Sequence, residues 1–306
     1  MNLFHKKDQY QGYNIYSMKK YVDKKRIIFT TIIVILIIIT LGFIIYYSVD
    51  TTIRLKSAKR FEQKLIEYES KQEELQKQER ERQAKIPKLT DEGKQNIKGI
   101  YKSETKRVFL TFDDGPSVNT ADVLDILKSN DIKATFFVLG TQVEKMPEMV
   151  KRAYQEGHYI ANHGYSHQYS QIYSSPETVL QEFNQCNSAV AKAIDVPEYN
   201  SHLFRFPGGS VGGKYANLKA EAVTLLEQNN IMHVDWNALT GDAEKSSPDE
   251  EYLMNNLQKT TQNKNSIVIL MHDAQAKKVT ADTLPEIISY LKEQGYEFKS
   301  FYDIIK

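Results

Sequence analysis

Residues 27–47, IIFTTIIVILIIITLGFIIYY, form an apolar run with no charged side chain. At 1.5 Å per helical residue, ~21 residues span roughly 30 Å, the hydrocarbon thickness of a bilayer. A helix packed into a globular core would carry a polar stripe on its outer face, and this one has none. The run is longer than the apolar region of a cleavable signal peptide, and no small-residue cleavage pattern follows it. An uncleaved transmembrane helix is therefore expected, with Tyr46 and Tyr47 at an interfacial aromatic belt. Lys19, Lys20, Lys24, Lys25 and Arg26 crowd its amino-terminal side, with Lys6 and Lys7 further back, whereas the other side opens with Ser48, Val49 and Asp50. The positive-inside bias predicts a cytoplasmic basic tail over 1–26 and an extracellular remainder, an asymmetry lessened by Arg54, Lys56, Lys59 and Arg60.

Residues 51–86 are dense in Lys, Arg, Glu and Gln and hold neither Gly nor Pro. Such a composition suits a solvated helix with i,i+4 charge pairs, for example Glu73 with Lys77. Phe61, Leu65, Tyr68 and Leu75 make a thin apolar stripe, enough for a weak coiled coil but without sustained heptads. A spacer helix ended by Pro87 is the expectation. Fully helical, ~36 residues would reach about 50 Å. The divisions are thus a tail (1–26), a membrane span (27–47), a stalk and linker (48–105) and a catalytic domain (106–306). The formal net charge of the 306-residue chain is +1, which gives no reason to expect a nucleic-acid partner. The lone Cys186 excludes an internal disulfide framework and reads as a small buried residue.

From Arg107 onward, short β-branched and aromatic runs alternate with amphipathic helical stretches. The runs are 108–112, 134–138, 159–162, 203–205, 232–236, 267–271 and 298–301. Helical patterns lie near 119–130, 146–156, 177–194, 215–229, 249–263 and 281–294. Repeated strand–helix units in one domain predict a closed or nearly closed parallel (β/α) barrel of about seven strands. The chemically able residues fall at the carboxyl ends of these strands: Asp113 and Asp114, His163 and His167, Arg205, Asp235 and Trp236, His272 and Asp273. In a parallel barrel those ends converge on one face, where active sites are built.

His163 and His167 are four residues apart in NHGYSH, a spacing that on a helical turn puts both imidazoles on one side. Completed by one of the adjacent carboxylates Asp113 and Asp114, they make a three-ligand set with an open position, the pattern of a catalytic metal. The second carboxylate is free to address a water acidified by that metal. Amide cleavage also needs a proton for the departing nitrogen, and His272 in LMHD is the natural donor. Asp235, across the barrel face, is the candidate partner that would hold it protonated.

These residues resemble the motifs of the polysaccharide deacetylase family (carbohydrate esterase family four, the NodB homology domain). TFDDGP at 111–116, HGYSH at 163–167, RFPGG at 205–209, DW at 235–236 and LMHD at 270–273 follow in the family's order. The resemblance implies a distorted (β/α) barrel and a divalent metal, usually zinc, with cobalt, manganese or nickel as alternatives. It implies that Asp113 is the general base for the metal-bound water, that Asp114, His163 and His167 hold the metal, and that Arg205 restrains Asp113. The backbone N–H of Gly208 would help hold the oxyanion, and Asp235 would tune His272 as general acid. Trp236 and Leu270 would wall the acetyl pocket. Gly164 replaces a Ser or Thr whose hydroxyl often braces the metal loop, so the brace is expected elsewhere. Gly208 stands where many relatives carry Tyr, so contacts above the site are expected to differ. The expected substrate is a cell-surface glycan, foremost the N-acetylglucosamine residues of peptidoglycan. The alternatives are an exopolysaccharide such as poly-N-acetylglucosamine and a non-catalytic glycan-binding barrel.

Overall fold

The computed structural model describes residues 15–305, so Lys6 and Lys7 of the expected basic tail lie outside the described residues. The chain divides into two units, Met1–Glu79 and Arg80–Lys306. The first is carried by helix α1, Ile15–Ala84, whose last turns belong to the second unit. Along 27–47 the large apolar side chains are exposed throughout, and the helix is long and apolar enough to cross a membrane. Its hydroxyls bond internally: Thr30 donates to the Arg26 carbonyl at 2.9 Å and Thr31 to the Ile27 carbonyl at 2.8 Å. Internal satisfaction of that kind is what a hydrocarbon environment demands.

The second unit is built on eight parallel-paired strands: β1 Arg107–Asp113, β2 Thr135–Val138, β3 Tyr159–Asn162, β4 Leu203–Phe204, β5 Met232–His233, β6 Ala238–Leu239, β7 Ser266–His272 and β8 Glu297–Lys299. Their order is β5-β4-β3-β2-β1-β7-β6, with β8 paired to the start of β1. The sheet curls so that its outer members, β5 and β6, are joined only by residues 234–237. Of the expected strand over 232–236 only Met232–His233 forms, and Asp235 and Trp236 lie in the gap before β6.

Alternation along each strand divides the core in two. Val108, Leu110 and Phe112 of β1 and Ile267, Ile269 and Met271 of β7 face outward into the helical layer. Phe109, Phe137, Tyr159, Ala161, Leu203, Met232, Val234 and Val268 fill the lumen. Ile97 and Ile100, together with Phe301, Ile304 and Ile305, are packed into that same luminal cluster. Ile97 lies on helix α2, Asp91–Lys98, which is capped by the Thr90 side chain accepting from Gly93 N–H at 3.0 Å. Arg107 and Ser266, at the starts of β1 and β7, donate to the Ile100 carbonyl. The segment before residue 106, expected as linker, is thus part of the barrel's hydrophobic core.

Candidate active site

Parallel register brings two of the expected site residues together. Asp113 pairs with His272 across β1 and β7, so both side chains leave the same face at the carboxyl end of the sheet. The same end carries His163 after β3 and Arg205 after β4, with Arg205 N–H donating to the Asn162 carbonyl at 2.9 Å.

Arg205 is fully buried, and each of its polar contacts is fixed. It donates to Asp113 Oδ1 at 2.8 Å, Thr111 Oγ1 at 2.7 Å, the Val234 carbonyl at 3.2 Å and the Asp235 carbonyl at 3.1 Å. Its guanidinium lies 3.9 Å from the centroid of the Phe137 ring, a cation–π seat within the lumen. Burial raises the Asp113 carboxyl above its ordinary value, and Arg205 works in the opposite direction. The result is a carboxylate held in place yet more basic than one in water.

Asp114, the next residue, turns away at φ 69. Its Oδ1 is buried and has no hydrogen-bond partner. It lies 3.5 Å from His163 Nε2 and 3.4 Å from His167 Nε2. Two donors each about 2.0–2.1 Å from a tetrahedral zinc lie about 3.3–3.4 Å apart, so these separations fit ligands sharing one ion. The His163 Nδ1–H donates to the Arg205 carbonyl at 2.8 Å, which leaves the Nε2 lone pair for a metal. Burial pushes His163 down to about 3, so this ring is neutral, as a ligand must be. The three residues form a cradle that could hold an ion, and an orphaned buried oxygen at its centre is the observation that fits one.

The two histidines do not share a helical turn. HGYSH is an irregular loop, with Gly164 at φ +90 and His167 at φ +58. Its brace is Glu182, a buried residue on the helix Pro176–Ile194. Glu182 accepts from the Tyr165 N–H at 2.6 Å, the Ser166 N–H at 2.7 Å and the Ser166 hydroxyl at 2.7 Å. A side chain at 164 would meet Ile172 at 3.0 Å and Glu182 at 3.4 Å, so glycine and the glutamate brace belong together.

The partner of His272 is Asp242, not Asp235. Nδ1–H of His272 donates to Asp242 Oδ1 at 2.9 Å. Asp242 Oδ2 accepts from the His272 backbone N–H and the Thr280 hydroxyl, both at 2.8 Å. Burial opposes the imidazolium, but the Asp242 hydrogen bond and charge, with those of Asp113 and Asp114, raise His272 to about 9. Asp235 instead accepts from Ser210 N–H at 3.0 Å and Ser210 Oγ at 2.6 Å, and so holds the RFPGG loop. Lys219 Nζ on the Gly209 carbonyl at 2.6 Å and the Tyr173 hydroxyl on the Pro207 carbonyl at 2.7 Å fix the same loop. Gly208 and Gly209, at φ +74 and +78, take backbone conformations that favour glycine. Trp236 and Leu270 are half-buried, with the Trp236 ring 5.8 Å from the Arg205 guanidinium. Cys186 is buried, and burial pushes its thiol up, leaving it inert.

A buried carboxylate seated on Arg205, an imidazole seated on Asp242 and a cradle that could hold an ion thus lie together at the carboxyl end of a parallel (β/α) barrel. Residues 101–225 match the polysaccharide deacetylase family. The YheN protein of Bacillus subtilis is 36% identical over 198 residues, 63% of this chain and 66% of that one. A peptidoglycan-N-acetylglucosamine deacetylase of Bacillus cereus is 35% identical over 205 residues, 65% of this chain and 71% of that one. The chain thus spans about two thirds of these relatives' lengths. A CE4 esterase of Streptococcus mutans superposes with a TM-score of 0.61 at 31% identity, over 67% of this chain and 90% of that one. The chain belongs to the polysaccharide deacetylase family.

Proposed function

We propose that this protein hydrolyses N-acetyl groups from a cell-surface glycan, with the N-acetylglucosamine residues of peptidoglycan as its substrate. The observation that carries the chemistry is the register pairing of Asp113 with His272 beside the orphaned Asp114 oxygen. The peptidoglycan deacetylase of Bacillus cereus supports the choice of glycan.

Asp114, His163 and His167 would hold the divalent cation, zinc first among the candidates. A cation held there supplies Lewis acidity, making water nucleophilic near neutral pH and polarising the acetamide carbonyl. Asp113, made more basic by burial, takes the proton from the attacking water. Arg205 keeps that carboxylate in one rotamer and aims its second oxygen, 3.9 Å from His163 Nε2, toward the cradle. The Gly208 N–H meets the developing oxyanion. His272 delivers its Nε2 proton to the departing amine, while Asp242 keeps Nδ1 protonated and the ring oriented.

The apolar span 27–47 serves as a membrane anchor, and the lysines and arginine before it set the amino terminus inside. The catalytic unit then faces the outside, where the glycan is. Incubation of the soluble unit from residue 80 with purified peptidoglycan, poly-N-acetylglucosamine and chito-oligosaccharides tests the substrate by acetate released. Peptidoglycan should be the best of the three. A preference for the exopolysaccharide would reassign the substrate, and binding without release would make the barrel a glycan-binding module.

A further inference from the structure

Tyr169 opens the short helix Tyr169–Ile172, two residues after the metal-cradle residue His167. Its ring stands edge-on to His167 at 5.7 Å and to Tyr173 at 5.6 Å, and Tyr173 is itself tied to the Pro207 carbonyl. The ring is thus held from two sides. The residue is still 41% exposed, and no hydrogen bond of its hydroxyl is found among the described residues. That hydroxyl occupies a particular place. A Cβ on Gly208 would fall 2.6 Å from Tyr169 Oη, 3.4 Å from Cζ and 3.5 Å from Cε2. The hydroxyl therefore fills the space above the Gly208 backbone, whose N–H is expected to face the oxyanion.

We propose that Tyr169 is a substrate-contact residue whose hydroxyl, lodged over Gly208, hydrogen-bonds the ring of the amino sugar that carries the acetamide. The inference rests on the deacetylase reading of this site. A tyrosine suits the task because its ring is rigid and its tip polar, so little freedom is lost on binding. The contact is present before and during reaction, so it acts on binding more than on the chemical step. Gly208 is required to be glycine for a second reason besides its φ of +74: any side chain would evict the hydroxyl.

The test uses the detergent-solubilised full-length chain loaded with zinc. Chitotetraose binding is followed calorimetrically and acetate release kinetically. Tyr169→Phe removes only the hydroxyl. It should keep its zinc, bind the sugar about tenfold more weakly, raise KM to match and leave kcat within about twofold. Gly208→Ala should also weaken sugar binding, and by less in the Tyr169→Phe background, where the closest atom left is Cζ at 3.4 Å. The φ strain is common to both backgrounds and cancels in this cycle. Unchanged sugar affinity in Tyr169→Phe, loss of its zinc, a fall in kcat without a change in KM, or additive effects in the cycle would each overturn the assignment. A wild-type chain that binds chitotetraose but releases no acetate would count against the deacetylase reading alone, and the binding comparison would still decide the role of Tyr169.

Discussion

Asp242→Asn removes the charge that holds His272 protonated while keeping the shape of the side chain. The amide oxygen can take the place of Oδ2 and still accept from the His272 N–H and the Thr280 hydroxyl, so the loop should stay. The amide nitrogen then faces Nδ1, where it can donate to a neutral ring but repels an imidazolium. His272 is raised from 6.5 to about 9 against the pull of burial. Without Asp242 that burial remains, and the ring should fall to about 6.5 or lower, a change of about 3 kcal/mol between its two protonation states. At pH 7.5 the protonated fraction drops from about 97% to about 9%. The variant should therefore lose about tenfold in kcat/KM at pH 7.5 and recover toward the wild-type rate near pH 5.5. The sign for stability follows. A folded value above the unfolded one contributes stability that is full below about 6.5 and is lost as pH rises through about 9. Asp242→Asn should flatten that dependence. An NMR titration of His272 in the metal-free protein, with the pH–rate profile of the loaded enzyme, measures both effects. If neither the His272 titration nor the alkaline limb moves down in the variant, Asp242 does not set the acid's protonation and the assignment of the pair is wrong.

Three further outcomes are expected. Asp113→Asn should keep zinc and lose turnover, whereas Asp114→Asn should lose zinc because an amide oxygen lacks the carboxylate charge; zinc content and acetate release on both variants check this, and the reverse pattern would swap the roles. Glu182→Ala removes the acceptor of the Tyr165 and Ser166 N–H groups and of the Ser166 hydroxyl, so zinc affinity should weaken about 10–100-fold in a competition titration, and unchanged affinity would remove Glu182 from the brace. A chain beginning at residue 80 should fold and stay soluble, but one beginning at residue 106 loses the buried Ile97 and Ile100 and should melt at least about 10 °C lower, if it folds at all. Equal melting temperatures for the two fragments would return residues 80–105 to the linker.

What the sequence disclosed was whatever depends on local pattern. The unbroken apolar run marks the span, and the 3.6-residue periodicity locates helices such as Pro176–Ile194 and Glu250–Thr261 to within about two residues. Residues at strand ends were legible because parallel strands deliver them to one face whatever the helices do. The remainder depends on tertiary partners. Asp235 stands beside Trp236 at the end of a strand run and so attracted the role of tuning His272. Asp242 sits in GDAEKSSPDE, which reads as a turn, and only the fold shows it under the ring. The eight residues of α2 are mostly polar, and a single buried isoleucine does not distinguish a barrel plug from a linker. A spacing of four between His163 and His167 fits a helical turn and an irregular loop alike, so the sequence does not separate the two. Gly164, at φ +90, breaks the helix, and a glutamate 18 residues downstream supplies the brace.

The decisive measurement is acetate release from peptidoglycan by the unit from residue 80, stripped of metal by a chelator and titrated with zinc. The arrangement of Asp113, Asp114, His163, His167 and His272 predicts no turnover in the stripped protein. It also predicts full recovery at one zinc per chain and none in a His272→Ala variant that still binds that zinc. Turnover by the stripped protein at the wild-type rate, or by the loaded His272→Ala variant, would contradict it.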